Sequence, residues 1–319
     1  MDHKPTFLEF CRHEINSGGP DPQMPILREL CKGTSTFHRA MLAGFYAIAY
    51  DVSTAEYLWL RFINTKRVSL SMLVRDNWPA MLIRTERRCV RTQKNFVECL
   101  TAYAQWAKRI NEYRNSRVKV EFEQLWIDVQ SLPFIGRYAG IKLLRALRDC
   151  AGLDVTEPDI RPHGGWSPRL TLKLLYPEEA LVLDAKDTPA VLRRVNYVAT
   201  MALEYANGNG IRRIGHYELQ ALLCEYREML KGNRFYPGRS HDEVLENYDR
   251  RYHVRQPYVT GIFRSRKKLF PHNHLGELNG WRTIRKELQS TFRWYDYIWS
   301  DLVYDYKSTK DFSDPVKRR

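Results

Sequence analysis

Within residues 158–169 the chain sets one carboxylate, Asp159, among Arg161, His163 and Arg169. Cations around an acid lower its pKa and form a pocket for anions, so this stretch offers acid, base and anion-binding groups close together. Pro158 and Pro162 stiffen the backbone there, and Gly164-Gly165 permits close approach by a ligand. A plainer reading is a loop whose charges satisfy one another, with Ser167 and Pro168 as N-cap and first residue of the next helix.

Upstream lies Leu132-Pro133-Phe134-Ile135-Gly136-Arg137-Tyr138-Ala139-Gly140. The pattern predicts a helix over 122–130 that stops at Leu132-Pro133, a tight turn permitted by Gly136, and a second helix from about Arg137. The free N–H groups at the start of that helix suit a phosphate. Gly140 would let the two helices pack closely. This arrangement resembles the helix-hairpin-helix of the DNA glycosylase superfamily, where it grips the DNA backbone beside an extruded nucleotide. Pro-x-x-Gly turns also join helices that never touch DNA. On this reading Gly136, Arg137, Gly140 and Lys142 contact DNA. Placed on one helix, Arg84, Arg87, Arg88, Arg91 and Lys94 fall within roughly 120° of one another, so Arg87, Arg91 and Lys94 extend the phosphate track. The alternative is a solvated face neutralised by neighbouring acids.

His272-Asn273-His274 with Glu277 lacks a fourth metal ligand, and no metal site is expected. Cys224, flanked by Leu222 and Leu223, reads as a packed thiol rather than a nucleophile. The six cysteines form no CxxC pair, which argues against a zinc knuckle or a disulfide framework.

The net charge of +14 and pI near 9.5 favour a polyanionic partner, since phosphates neutralised by Lys and Arg release their counterions. The longest apolar run, from Ala40 to Tyr50, is interrupted by Gly44 and is too short to span a bilayer, so no membrane association is expected. Met1-Asp2-His3-Lys4-Pro5 does not lead into an apolar leader segment. Cytosolic residence is the expectation.

The elements that must carry these groups are helices. Apolar residues recur every three or four positions over 37–50, 96–110, 122–129, 141–147, 191–205 and 217–230, with almost no strand-like alternation. A further stripe, Leu288, Phe292, Tyr295, Trp299, Leu302 and Tyr306, occupies a single helical face and reads first as core packing. The expected architecture is all-α, a two-lobed glycosylase-like fold. Residues 1–130 form an N-terminal helical lobe, 131–250 the hairpin and catalytic lobe, and 251–319 an aromatic and basic C-terminal helical extension.

The string Pro-Asp-Ile-Arg-Pro-x-Gly-Gly-x-Ser-Pro-Arg is similar to that of the bacteriophage amino acid:DNA transferases, the alpha-glutamyl/putrescinyl thymine pyrophosphorylase group. Further matching pieces occur in order: Glu14-Ile15, Gly18 to Pro22, Arg91 to Phe96, Leu222 to Tyr226 and Lys231 to Arg239. The resemblance covers roughly residues 9 to 245. It implies that 5-hydroxymethyluracil in double-stranded phage DNA, pyrophosphorylated by a separate DNA hydroxymethyluracil kinase, exchanges pyrophosphate for an amino acid or amine in the infected bacterial cytoplasm.

The reacting base must then leave the stack, the incoming ammonium must lose a proton and the departing pyrophosphate needs cations. Asp159 or His163 could be the base, with Arg161 also catalytic; the glycosylase-like fold carries an essential aspartate about twenty residues after the hairpin, which fits Asp159 and, as a competitor, Asp154. Arg169, Ser167, Lys231, Arg234, Tyr236 and Arg239 would divide the pyrophosphate and substrate contacts, joined by Glu14 and Asp21. The Lys231 to Arg239 stretch also reads as an ordinary basic surface loop, and Glu14 and Asp21 as ordinary surface acids. Mg2+ could accompany pyrophosphate without a protein motif. Alternatives are a helix-hairpin-helix DNA glycosylase, for which Lys142 rather than a lysine directly after the hairpin is present, and a noncatalytic DNA-binding protein.

Overall fold

The computed structural model describes residues 2–16, 20–21, 23–65, 69–115, 120–155, 166–211, 214–230, 244 and 247–248. Among these residues the fold is all-helical, and the one β interaction is a lone parallel bridge between Val120 and Val155. No described helix is long and apolar enough to cross a membrane. The chain divides into two units: Pro22–Pro158 with Asn247–Thr260, and Met1–Asp21 with Asp159–Glu246 and Gly261–Arg319. Residues 251–319, with the aromatic stripe and the His272 cluster, lie outside the described residues.

In the Pro22–Pro158 unit the centre is α3 (Thr36–Ala49), buried throughout from Ala40 to Ala49. The apolar run of the sequence is therefore a core helix. Ser35 caps it by accepting the His38 N–H at 3.2 Å, and Tyr50 ends it in the left-handed conformation at φ 54°. Around α3 pack α4 (Val52–Asn64), α6 (Gln93–Ala107) and α9 (Arg137–Ala151); α2 (Gln23–Leu30), α5 (Leu70–Asn77), α7 (Ile110–Asn115) and α8 (Phe122–Gln130) complete the unit. Gly44 permits the close crossing of α3 and α6, because a Cβ there would stand 2.0 Å from the Tyr103 ring. The Tyr103 hydroxyl donates to the Ala40 carbonyl at 2.5 Å.

Two carboxylates in the first turns of α4 are buried and hydrogen-bonded. Asp51 caps the helix through the Thr54 N–H at 2.7 Å and accepts a hydrogen bond from the Asn247 side chain. Glu56 accepts from the Tyr248 hydroxyl at 2.5 Å. Residues far along the chain thus complete this unit.

The other unit contains α1 (Lys4–Asn16), α10 (Trp166–Leu175), α11 (Ala180–Leu183), α12 (Pro189–Gly208) and α13 (His216–Leu230). Thr188 caps α12 through the Val191 N–H, with Pro189 at the first helical position as its fixed φ favours. Apolar faces of α1, α10, α12 and α13 share one core, which includes Phe7, Phe10, Leu172, Val198, Leu222 and Tyr226. The edges of Phe7 and Phe10 meet Tyr226 at centroid distances of 5.3 and 5.5 Å.

Candidate functional site

The helix–turn–helix predicted over the Leu132 to Gly140 stretch is present, as α8, a turn and α9. Its turn is built differently from the expectation. Pro133 and Phe134 occupy the centre of a turn closed by the Ile135 N–H on the Leu132 carbonyl at 3.3 Å. Phe134, at φ 61°, supplies the left-handed residue. Proline followed by a positive φ is the pattern of a type II turn, usually completed by glycine. Gly136 has an ordinary extended backbone, φ −84° and ψ 179°, and a Cβ added there would meet open space. Its place in the turn is therefore not one that demands glycine. Gly140 is different: an added Cβ would lie 2.6 Å from Gln130 Nε2 and 3.0 Å from the Trp126 ring, so this glycine sets the close approach of α8 and α9.

The strained turn is held by Arg87. This side chain is only 5% exposed; its Nε donates to the Ile48 carbonyl and its Nη2 to the Phe134 carbonyl, each at 3.1 Å. The guanidinium ties the hairpin turn to the end of α3, and burial lowers its pKa.

The basic residues from Arg84 to Lys94 do not share one α-helical face. Residues Thr85–Val90 form a 3-10 segment broken at Arg87, at φ −102° and ψ 45°, and α6 begins only at Gln93. The reason is tertiary: turning Arg87 inward to reach two main-chain carbonyls interrupts the helical repeat. Arg88, Arg91 and Lys94 remain exposed. Lys94 lies in the first turn of α6, where the helix dipole disfavours a cation and a bound anion would offset it.

The first turn of α9 has no side-chain cap. Gly136 and Arg137 are exposed beside it, and Tyr138 is 45% exposed. Tyr138 meets Tyr50 edge to face at 5.0 Å. Lys142 Nζ lies 5.3 Å from the Tyr50 ring centre and 5.8 Å from that of Tyr138, and the Arg84 guanidinium lies 5.0 Å from Tyr50. Tyr50 ends an apolar run, so nothing local in the sequence marks it as part of this cluster. The surface thus combines amide donors, cations and one exposed aromatic ring, Tyr138, backed by the buried Tyr50; amides and cations contact phosphates, and an exposed ring can stack on a base.

A second polar centre lies within the other unit. Helices α10 and α13 pack antiparallel, with Thr171 Oγ1 donating to the Leu223 carbonyl at 2.6 Å and Arg227 Nη1 donating to Ser167 Oγ at 3.4 Å. Ser167 is the second residue of α10 rather than its N-cap, and its hydroxyl serves Arg227. Arg169 is buried and donates through Nη2 to Asp187 Oδ1 at 2.7 Å. Glu14 and Asp21 are buried rather than surface acids. Burial, with Glu14 and Glu225 close by adding to it, pushes the Cys11 thiol well above its ordinary pKa.

Asp159, Arg161 and His163, and likewise Lys231, Arg234, Tyr236 and Arg239, lie outside the described residues. The helices they adjoin in sequence are described. The Ser167–Arg227 contact puts the start of α10, just after the Asp159 stretch, beside the end of α13, just before the Lys231 stretch. Arg227 carries no motif of its own in the sequence. It stands four positions after Leu223 and three before Leu230, both fully buried, so a cation at a core position of the helical repeat was the available signal. No group of three or more His, Cys, Asp or Glu suited to a metal ion occurs among the described residues. No family model, curated protein or solved structure matches this chain.

Proposed function

We propose that the protein modifies bases in double-stranded DNA, transferring an amino acid or amine to 5-(pyrophosphoryloxymethyl)uracil with release of pyrophosphate. The observation that carries this reading is the antiparallel α10–α13 pair. It brings the helix ends that adjoin the Asp159 and Lys231 stretches together, around the buried Arg227. One stretch carries a candidate base and the other the cations a pyrophosphate leaving group requires. The uncapped start of α9, with Arg137, Lys142 and the exposed Tyr138, supports DNA as the substrate-bearing polymer.

For an amine nucleophile the balance is simple. The nitrogen lone pair forms a bond to the exocyclic methylene carbon, the carbon–oxygen bond breaks, and pyrophosphate leaves with that electron pair. Asp159 or His163 takes the proton from the incoming ammonium. Arg161, Arg169, Lys231, Arg234 and Arg239 divide the charge of the leaving group and the co-substrate, with Ser167 and Tyr236 as further polar contacts and Glu14 and Asp21 as the acids that join them. A kinase acting earlier on 5-hydroxymethyluracil in DNA supplies the activated base, which places the reaction in the cytoplasm of a phage-infected bacterium.

The test is nucleoside mass spectrometry after incubation of pyrophosphorylated hydroxymethyluracil DNA with the protein and a pool of amino acids and amines. A heavier nucleoside supports the reading. Alkali-labile abasic sites would indicate a glycosylase, and salt-sensitive binding with neither product a DNA-binding protein. Asp159→Ala is expected to abolish product while DNA binding persists; full turnover by that variant would remove Asp159 from its assigned role.

A further inference from the structure

We propose that Arg227 is an oxyanion receptor, its guanidinium edge clasping a phosphate or carboxylate of a small substrate. Its side chain is only 2% exposed. Nη1 is used, 3.4 Å from Ser167 Oγ and 3.7 Å from Glu228 Oε1. Nε and Nη2 have no hydrogen-bond partner among the described residues. Those two nitrogens form one edge of the planar group, with parallel N–H donors that match two oxygens of a carboxylate or phosphate. A buried cation that leaves a whole donor edge unused is costly unless an anion fills it.

A purely structural explanation accounts for less. A cation in the last turn of α13 is favoured by the helix dipole, but that interaction does not supply acceptors to Nε and Nη2. An apolar side chain at this core position would pack beside Leu223 and Leu230 without the desolvation cost. Ser167 fixes the orientation of the fork by accepting from the opposite nitrogen.

That the site takes an oxyanion follows from the guanidinium edge alone. Its identity as pyrophosphate or as the carboxylate of an amino acid rests on the transferase reading. The test is titration calorimetry of the full chain, without DNA, using inorganic pyrophosphate in one arm and L-glutamate in the other. Wild type is expected to bind at least one saturably, and which one assigns the site to leaving group or co-substrate. R227M should weaken that binding by roughly ten- to a hundredfold, and R227K should also weaken it because an ammonium lacks the parallel donors.

Circular dichroism establishes that each variant is folded, and R227K, which keeps the charge and the stem, decides the matter if R227M is not. Absence of saturable binding by wild type in both arms overturns the proposal whatever the variants do, as does unchanged affinity in a folded variant. The two readings fail separately. Anion binding lost in R227K from a protein that forms no modified nucleoside leaves the receptor standing and sinks the transferase; undiminished nucleoside formation and anion binding by R227K do the reverse.

Discussion

Replacing Arg87 should damage stability before it damages DNA affinity. Its Nε and Nη2 each donate at 3.1 Å, to the Ile48 and Phe134 carbonyls, from a side chain that is 5% exposed. A hydrogen bond from a charged donor contributes about 1.5–3 kcal/mol, and an acceptor stranded in the interior loses its partner outright. Counting the Ile48 bond in full and the part-buried Phe134 bond at about half, Arg87→Ala should cost about 3 kcal/mol. At an m-value of about 2–3 kcal/mol/M this lowers the urea midpoint by about 1 M, measurable by tryptophan fluorescence. Arg87→Lys, able to reach only one carbonyl, should lose about half as much. Arg88→Ala and Arg91→Ala, both at exposed positions, should stay within about 0.5 kcal/mol of wild type. An Arg87→Ala protein equally close to wild type, with a reduced salt dependence of DNA binding, would refute the buttress and restore Arg87 to the phosphate track.

Gly44→Ala must displace the Tyr103 ring from 2.0 Å and should cost about 3 kcal/mol or more, whereas Gly136→Ala, facing open space, should leave the thermal midpoint almost unchanged. A Gly44 variant as stable as wild type would contradict the α3–α6 packing. Arg91→Ala combined with Lys94→Ala should reduce the slope of log affinity against log salt for duplex DNA by about 2; an unchanged slope would exclude these two as phosphate contacts. In alkylation at mildly alkaline pH, exposed Cys89 should be labelled first. Cys99, pushed up to about 12 by burial, stays a protonated and unreactive thiol until far higher pH. Mass-spectrometric mapping that finds Cys99 modified as fast as Cys89 in the folded protein would show that its burial is wrong.

The helices were legible because each carries its own periodic apolar face. The runs at 37–50, 122–129, 191–205 and 217–230 correspond to α3, α8, α12 and α13, and the Pro133 and Gly136 punctuation marked the hairpin. What local pattern does not encode is the partner across the chain. The positive φ fell on Phe134 rather than on a glycine because Arg87, distant in sequence, holds that carbonyl. The same inward turn of Arg87 broke the basic helix that spacing alone suggested. Arg227 was invisible for the opposite reason: on a solvent face it would be ordinary, and only the burial of Leu223 and Leu230 shows that its helix face points inward. The pairing of α1 with α13, which buries Glu14 within the same unit as Arg227, is likewise a long-range contact without a local signature.

Catalysis can be tested by the stoichiometry of two products. Duplex DNA bearing 5-(pyrophosphoryloxymethyl)uracil is incubated with the full chain and a nitrogen-15-labelled amine pool, and both free pyrophosphate and digested nucleosides are quantified. The transferase account predicts one pyrophosphate released for each labelled, heavier nucleoside formed. Pyrophosphate loss without label in the nucleoside, or an unaltered substrate, would contradict it.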